Sequence, residues 1–495
     1  MRVSTAVLLT RKRGPELEVY LVRRSESLRF FGGYWACPGG VVDAEDRGDG
    51  TEDDMHRHCA LRELFEETGV WLGDASALTG EERHALRNAL LEQEGKTGAI
   101  EAAASFRARL SPLREALDKV RPFALLTTPA FAPVRYRTRF VHVELPAGEE
   151  PLVLEGELSD GSFATAARWL ERWRSGELAI VPPVLFLLEM LSTRPLEDFL
   201  LYAEGRCAQS EGGRLHPIRN TPGIVMAPLP TPTLPPATTT NCYLVGEEQF
   251  FVVDPATYDE VWRERLYALI DERCAAGSKL CGVLLTHHHH DHVGAVHVLE
   301  ERYSCPVFAH EETLDRLPSS PREPRTLVDG DRVELGRAPD GSPGWHLTSF
   351  HTPGHDRGHM VFLDSRYNSL IAGDLVSTLS TIIIDPPEGH LATYLASLRR
   401  MLGVPMGMLH PAHGPVAREG HVLLARYLEH RAVREASLVD ALGRGLETPA
   451  ALLDVVYEKP PAELRRFAER SLIAGLEKLK EEGRVRVAGE AWSLV

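Results

Sequence analysis

The chain has 495 residues, length enough for about three domains and several hydrophobic cores. With 43% hydrophobic, 25% charged and 7% aromatic residues, its composition is that of a folded protein and excludes global disorder. Against 71 Asp and Glu stand 55 Lys and Arg, a formal charge of −16, and a surface of that sign excludes general coating of polyanions.

In chain order the first elements are two strand patterns, Val3 to Thr10 and Leu17 to Val22, with a turn at Gly14-Pro15, then a Gly-rich loop from Gly32 to Gly40. From Glu52 to Thr68 the spacing turns helical, with Leu61, Leu64 and Phe65 apolar among acidic residues and Gly69 placed to stop the last turn. Residues 80–120 are polar, rich in Ala and Glu and helix-prone, which reads as an insertion. Strands are expected at Phe123 to Thr127 and Arg139 to Leu145, and a helix around Ser162 to Arg174.

Chemistry enters on the first of these helices. The run Arg62-Glu63-Leu64-Phe65-Glu66-Glu67-Thr68-Gly69 spaces Glu63, Glu66 and Glu67 so that three carboxylates share one side of a helix end, with Arg62 in reach of Glu66. Like charges so close repel unless a cation sits there, and hard oxygen ligands suit Mg²⁺ or Mn²⁺. An isolated E-x-x-E-E is most often a solvated acidic face. Here it follows Trp35-Ala36-Cys37-Pro38-Gly39-Gly40-Val41-Val42-Asp43, and the two pieces together resemble the Nudix hydrolase signature.

That resemblance implies an α/β/α sandwich, a Mg²⁺ or Mn²⁺ site on the catalytic residues Glu63, Glu66 and Glu67, and cleavage of a diphosphate linked to another moiety. The sequence departs from the signature in one way: about eight extra residues, around Ala44 to Thr51, separate Gly40 from the helix. Counted back from Arg62, Asp54 stands in the place of the family's first glutamate and Gly48 in that of its glycine. The insertion after Asp43, the helical insert, Thr128-Pro129, Arg137-Thr138-Arg139-Phe140, Gly176-Glu177 and Pro182-Pro183 are similar to the subgroup related to peroxisomal CoA diphosphatases. A CoA-like substrate is what that likeness implies. The expected domain is 1–205, with its helical insertion at about 75–120.

Seven prolines between His216 and Pro236 mark a stiff connection or the edge strands of a new domain, and the boundary is placed near Arg206 to Arg214. Asn241 to Asp254 and Leu280 to Thr286 read as buried strands with helical stretches between, an α/β pattern. Histidines cluster after apolar runs: Thr286-His287-His288-His289-His290-Asp291-His292, then His351-Thr352-Pro353-Gly354-His355-Asp356-Arg357-Gly358-His359, Ala372-Gly373-Asp374, and His410-Pro411-Ala412-His413. A strand end emptying into His-x-His-x-Asp-His can present imidazoles and a carboxylate at one point, as a pair of transition metals requires.

These four pieces resemble the metallo-β-lactamase fold family, an αββα sandwich with a dinuclear site at one edge. Carried over by position, His287, His289 and His355 hold one metal, Asp291, His292 and His413 the other, and Asp374 bridges them. Two Zn²⁺ ions suit imidazole and carboxylate donors without cysteine, with manganese or iron as the alternatives, and a cation pair lowers the pKa of bound water and polarises the attacked oxygen. His359 is read either as a substrate-side residue or as a hydrogen-bonded structural histidine. His288 and His290 are expected on the opposite side of the motif.

After Pro415 the pattern is helical and ends in two short strand patterns, Val485 to Val487 and Trp492 to Leu494, which suggests a winged helix. The expected domains are 214–418 and 420–495, similar together to the lactamase-β-like group that carries such a module. Members are associated with thioester hydrolysis or with cleavage of single-stranded RNA. From His421 to Val495 twelve Lys or Arg face twelve Asp or Glu, a weak footing for nucleic acid, so small-molecule ester or thioester substrates are favoured. The overall class is α/β and α+β multidomain. No run of 18 apolar residues is present, Ala6 to Leu9 is too short for a secretory segment, and seven scattered cysteines lack a C-x-x-C pair. A cytoplasmic enzyme without a membrane partner is expected, with a homodimer left open.

Overall fold

Local turn chemistry starts the fold as the sequence predicts. In the computed structural model, which describes residues 1–28, 31–47, 50–74, 78–93, 99–110, 113–130, 132, 134–154, 156–460, 462 and 464–495, the chain divides into two units, Met1–Pro222 and Gly223–Val495. Strands Arg2–Arg13 and Glu16–Arg24 pair antiparallel with Arg13 opposite Glu16, and Gly14 takes the turn at φ 62°. Strand Tyr136–Glu144 runs parallel to the first, and Arg121–Thr127 closes that side. Within the Gly-rich loop, Trp35–Ala36 and Gly39–Val41 add short pairings to the second and first strands.

The helix Glu52–Thr68 lies against this sheet, and Gly69 ends it in the left-handed region at φ 72°. Helices Gly80–Gln93, Ala99–Arg109 and Leu113–Asp118 follow. The insertion is no surface appendage: Leu90, Phe106 and Leu110 are buried, and Phe106 stacks on Phe65 with ring centroids 5.3 Å apart. The stretch expected as one helix from Ser162 to Arg174 divides. Leu158–Thr165 is a strand pairing Glu16–Arg24, with Phe163 against Tyr20 at 4.8 Å, and the helix begins at Ala166 under a Thr165 cap. Sheet pairing and the cap override the helical spacing there.

The second unit is built on two sheets. One runs in the order Pro324–Thr326, Val307–Ala309, Lys279–Leu284, Gln249–Val253, Thr239–Gly246 and Ile224–Pro230; the other in the order Arg332–Gly336, Trp345–His351, Met360–Asp364, Leu370–Gly373 and Leu409–Pro411. The sheets are stitched at one end by Asn241, whose Nδ2 donates to Pro411 O at 2.9 Å and Gly414 O at 2.8 Å, and by Tyr243, whose hydroxyl donates to Pro411 O at 2.7 Å. Helices Gly420–Gly443, Pro449–Val456 and Arg465–Glu481 and the hairpin Val485–Ala488 with Ala491–Leu494 form the winged helix and its lead-in. No helix among the described residues is long and apolar enough to cross a membrane, and all seven cysteines are free thiols.

Buried histidines, His142 and His216 foremost, should make the first unit acid-sensitive. His142 Nε2 lies 2.9 Å from Thr10 Oγ1, and burial pulls its pKa down to about 4 from 6.5. The unfolded chain takes up this proton first, so stability falls as pH drops from 6.5 and the loss is complete below about pH 4. In urea unfolding between pH 7 and pH 4, the parent should lose about 2 kcal/mol more than His142→Gln. Equal losses would show that His142 does not cause the sensitivity.

Candidate metal centre and carboxylate helix

In the first unit, the helix Glu52–Thr68 starts with a capping box: Asp54 N donates to Thr51 Oγ1, and Thr51 N donates back to the Asp54 carboxylate at 3.1 Å. Arg57 Nη1 adds an ion pair to Asp54 at 3.1 Å. Asp54 therefore serves the start of the helix, and nine residues of rise carry it roughly 14 Å from Glu63 along the axis. Gly48 lies outside the described residues.

At the other end Arg62 is the hub. Its Nη1 lies 2.9 Å from both Glu63 and Glu66, and its Nη2 2.7 Å from buried Asp46. Glu67 accepts from Gly39 N at 2.7 Å. Gly39 holds φ 144°, and a Cβ there would meet Thr5 O at 2.2 Å, so only glycine brings this amide to the helix. Burial pushes the Glu63 pKa well above the carboxylate range, against the pull of Arg62. Burial likewise pushes Glu67 up to about 8, against its bond from Gly39. Carboxylates resisting ionisation in this way fit a divalent cation, which would restore their charge. Among the described residues, however, every cluster with three ligand atoms mutually within 4.8 Å belongs to the second unit, so these glutamates are neighbours without converging that closely.

In the second unit the strand ends converge. His287 follows strand Lys279–Leu284, and His289 caps the one-turn helix His290–Val293 that carries Asp291 and His292. His355 lies in the turn after Trp345–His351, Asp374 directly follows Leu370–Gly373, and His413 follows Leu409–Pro411. Three clusters result, each with ligand atoms within 4.8 Å: His287, His289 and His355; His287, His292 and Asp374; Asp291, His292 and His413. Asp374 reaches all sides, with Oδ2 3.5 Å from His355 Nε2 and Oδ1 3.3 Å from His413 Nε2 and 3.7 Å from His292 Nε2.

Outer partners aim the rings. Asp254 accepts from His292 Nδ1 at 2.9 Å while bonding Thr286 N and Oγ1. His355 Nδ1 donates to Ile383 O at 2.8 Å and His413 Nδ1 to Thr239 O at 3.1 Å. The Nε2 atoms of His287, His292 and His355 and the Oδ1 of Asp374 are buried with no hydrogen-bond partner of proper geometry. Orphaned buried donors and acceptors pointed at one spot fit a metal centre. Burial pulls His287 well below the ordinary imidazole range and His289 to about 3, which keeps both neutral as ligands must be. Burial opposes the charge of Asp374, but His413 and His292 hold its pKa well below the usual carboxylate range.

The other histidines sort by contact. His359 is fully engaged, its Nδ1 2.9 Å from Thr352 Oγ1 and its Nε2 accepting from Asp374 N at 3.0 Å, which is the structural reading. His290 stacks on Tyr258 at 4.3 Å, away from the cluster. His288 is not carried away as expected: its Nδ1 lies 2.6 Å from Asp356, and both join His289 in a fourth cluster. Sequence reasoning missed the role of Asp254 and of the two backbone carbonyls; for Asp254 the run Val253-Asp254-Pro255 is the available signal.

Three family models match: NUDIX domain at residues 1–96, Metallo-beta-lactamase superfamily at 235–413, and Beta-lactamase associated winged helix domain at 448–492. The chain is 28% identical over 269 residues to the lactamase-like protein adaB of Aspergillus niger, covering 51% of this chain and 78% of the relative. It is 26% identical over 295 residues to the atrochrysone carboxyl ACP thioesterase of Aspergillus chevalieri, covering 57% and 87%. A solved beta-lactamase domain protein from Burkholderia ambifaria shares the fold at TM-score 0.50 and 21% identity, over 57% of this chain and 94% of that one. The chain thus carries a NUDIX domain, a metallo-beta-lactamase superfamily domain and a beta-lactamase associated winged helix domain, and is a metal-dependent hydrolase.

Proposed function

We propose that the protein is bifunctional. Its NUDIX half cleaves a nucleoside diphosphate-linked substrate, of which a CoA or acyl-CoA is the leading candidate, and its other catalytic half hydrolyses a thioester or ester at a dinuclear zinc centre. The observation that carries the second activity is the convergence of five imidazoles and two carboxylates with buried, unpartnered ring nitrogens. Their donor set, without cysteine, favours zinc. When bound, a pair of divalent cations supplies Lewis acidity and lowers the pKa of a bound water.

The chain's own residues do the positioning. Asp254 fixes the tautomer and plane of His292, and His359 holds the Asp374 backbone so that its carboxylate faces three rings. Similarity to a protein named a thioesterase supports an acyl substrate. The endoribonuclease alternative is disfavoured by the state of the winged-helix cations: Arg465 pairs with Asp454 at 2.6 Å, Lys478 with Glu435 at 2.6 Å, and Arg484 with the same Glu435. Cations already neutralised release few counterions.

Metal analysis of the purified full chain should give two zinc ions that His287→Ala reduces, and acyl-CoA should release thiol in the parent but not in this variant. A parent without zinc and without thiol release refutes the reading. Asp254→Asn should weaken zinc binding by about 10- to 100-fold while leaving the ligands intact; unchanged affinity in chelator competition would show that Asp254 does not hold His292. With Mg²⁺ and CoA, Glu67→Gln should cost at least about a hundredfold in diphosphate cleavage and leave thiol release from the other unit unchanged. Loss of both activities, or of neither, contradicts two independent sites.

A further inference from the structure

The helix Gly420–Gly443 belongs to two cores at once. Its first half sends Leu424 and Tyr427 into the core shared with Tyr394, Leu398 and Met401, and its last turns pack Leu438, Ala441 and Leu442 against Leu452 and Leu476 of the winged helix. Between these anchor points it presents two polar side chains to the segment Asp374 to Ile384, which borders the metal centre.

Tyr427 is the first. Its hydroxyl accepts from Ser377 N at 2.8 Å and lies within donating distance of Ser377 O at 2.9 Å and Ser380 O at 2.6 Å. Ser377 Oγ in turn donates to His413 O at 3.3 Å, and Thr378 N to the same oxygen. Space is tight there: a Cβ on Gly414 would stand 2.4 Å from Thr378 Oγ1. Arg431 is the second. It is buried, donates to Ile382 O, and sets its guanidinium 5.5 Å from the Tyr394 ring, while the next carbonyl, Ile383 O, takes the proton of His355 Nδ1. Tyr394 itself donates to Leu375 O, one residue beyond Asp374. One helix therefore bears on the backbone next to the carbonyl that aims His355 and on the loop bonded to the His413 carbonyl, with Tyr394 completing the grip beside Asp374.

We propose that Tyr427 and Arg431 are positioning residues of the metal centre, and that the lead-in helix of the winged-helix module is a brace holding the ligand-bearing loops in register. The brace rests on the metal-centre reading above. A hydroxyl and a guanidinium fix peptide planes at Ser377 and Ile382; the second adjoins the peptide whose carbonyl orients His355, and the first holds the loop bonded to the His413 carbonyl. Packing alone cannot do this, because apolar contacts are tolerant of peptide rotation whereas hydrogen bonds are directional.

The experiment compares zinc affinity and thermal stability in the full-length chain for the parent, Tyr427→Phe, Arg431→Met, Arg431→Lys and Leu452→Ala. Zinc is stripped by a chelator and returned in competition with a chromophoric one. Tyr427→Phe and Arg431→Met should bind the weaker-held zinc about tenfold less tightly, and Arg431→Lys should recover part of the loss by restoring a donor to Ile382 O. Leu452→Ala, a cavity in the winged-helix core, should lower the melting temperature and leave zinc affinity alone. Parent-like affinity in both Tyr427→Phe and Arg431→Met overturns the brace. So does an equal loss of affinity in Leu452→Ala, which would mark the effect as general destabilisation. A parent that takes up no zinc overturns the metal-centre reading itself, and the brace with it.

Discussion

Everything in the second unit answers to one electrostatic demand: imidazoles and carboxylates from four separate strand ends share a space with little water. Burying such a set uncompensated is costly, so His287, His292, His355 and His413 are each held from behind before they face their neighbours. His292 has a carboxylate behind it, His355 and His413 have backbone carbonyls, and Asp374 has a histidine on its own amide. What remains unsatisfied points inward. The inward atoms are the candidate metal ligands, and the outward bonds are why the fold tolerates them.

The stitching of the two sheets follows from the same demand. His413 comes from one sheet, and the Thr239 carbonyl that aims it comes from the other, so the sheets must be locked where the ligands emerge. Asn241 and Tyr243 lock them there by bonding Pro411 and Gly414, on either side of His413. The carboxylate helix of the first unit solves the problem differently. One guanidinium, Arg62, is shared among Asp46, Glu63 and Glu66, and a glycine amide serves Glu67. Burial still leaves Glu63 and Glu67 reluctant to ionise, against the pull of Arg62 and of the Gly39 amide.

Much of this was legible beforehand. The helix Glu52–Thr68 with its Gly69 stop, the opening hairpin, the buried strands before each histidine cluster and the terminal hairpin all follow from periodicity and turn residues. Two expectations did not hold, the side taken by His288 and the helix from Ser162, and for the same reason. His288, expected on the opposite side of the motif, is claimed by Asp356 at 2.6 Å. The helical spacing from Ser162 lost to a free sheet edge beside Glu16–Arg24. Counting along a chain cannot see a competing partner supplied from elsewhere in space.

The amino-acid order alone determined which side chains could take part: histidines and aspartates set just past apolar runs, three glutamates spaced to share a helix face, and a last segment patterned as helices and a hairpin. It did so because period and spacing are local properties. Which carbonyl or carboxylate turns each ring, that His288 meets Asp356, and that the helix leading into the winged-helix module bears on the ligand loops were decided only by the tertiary structure. Those are contacts across 28 to 174 residues, made by backbone atoms and by ordinary Tyr, Arg and Asn side chains that carry no signature in a sequence.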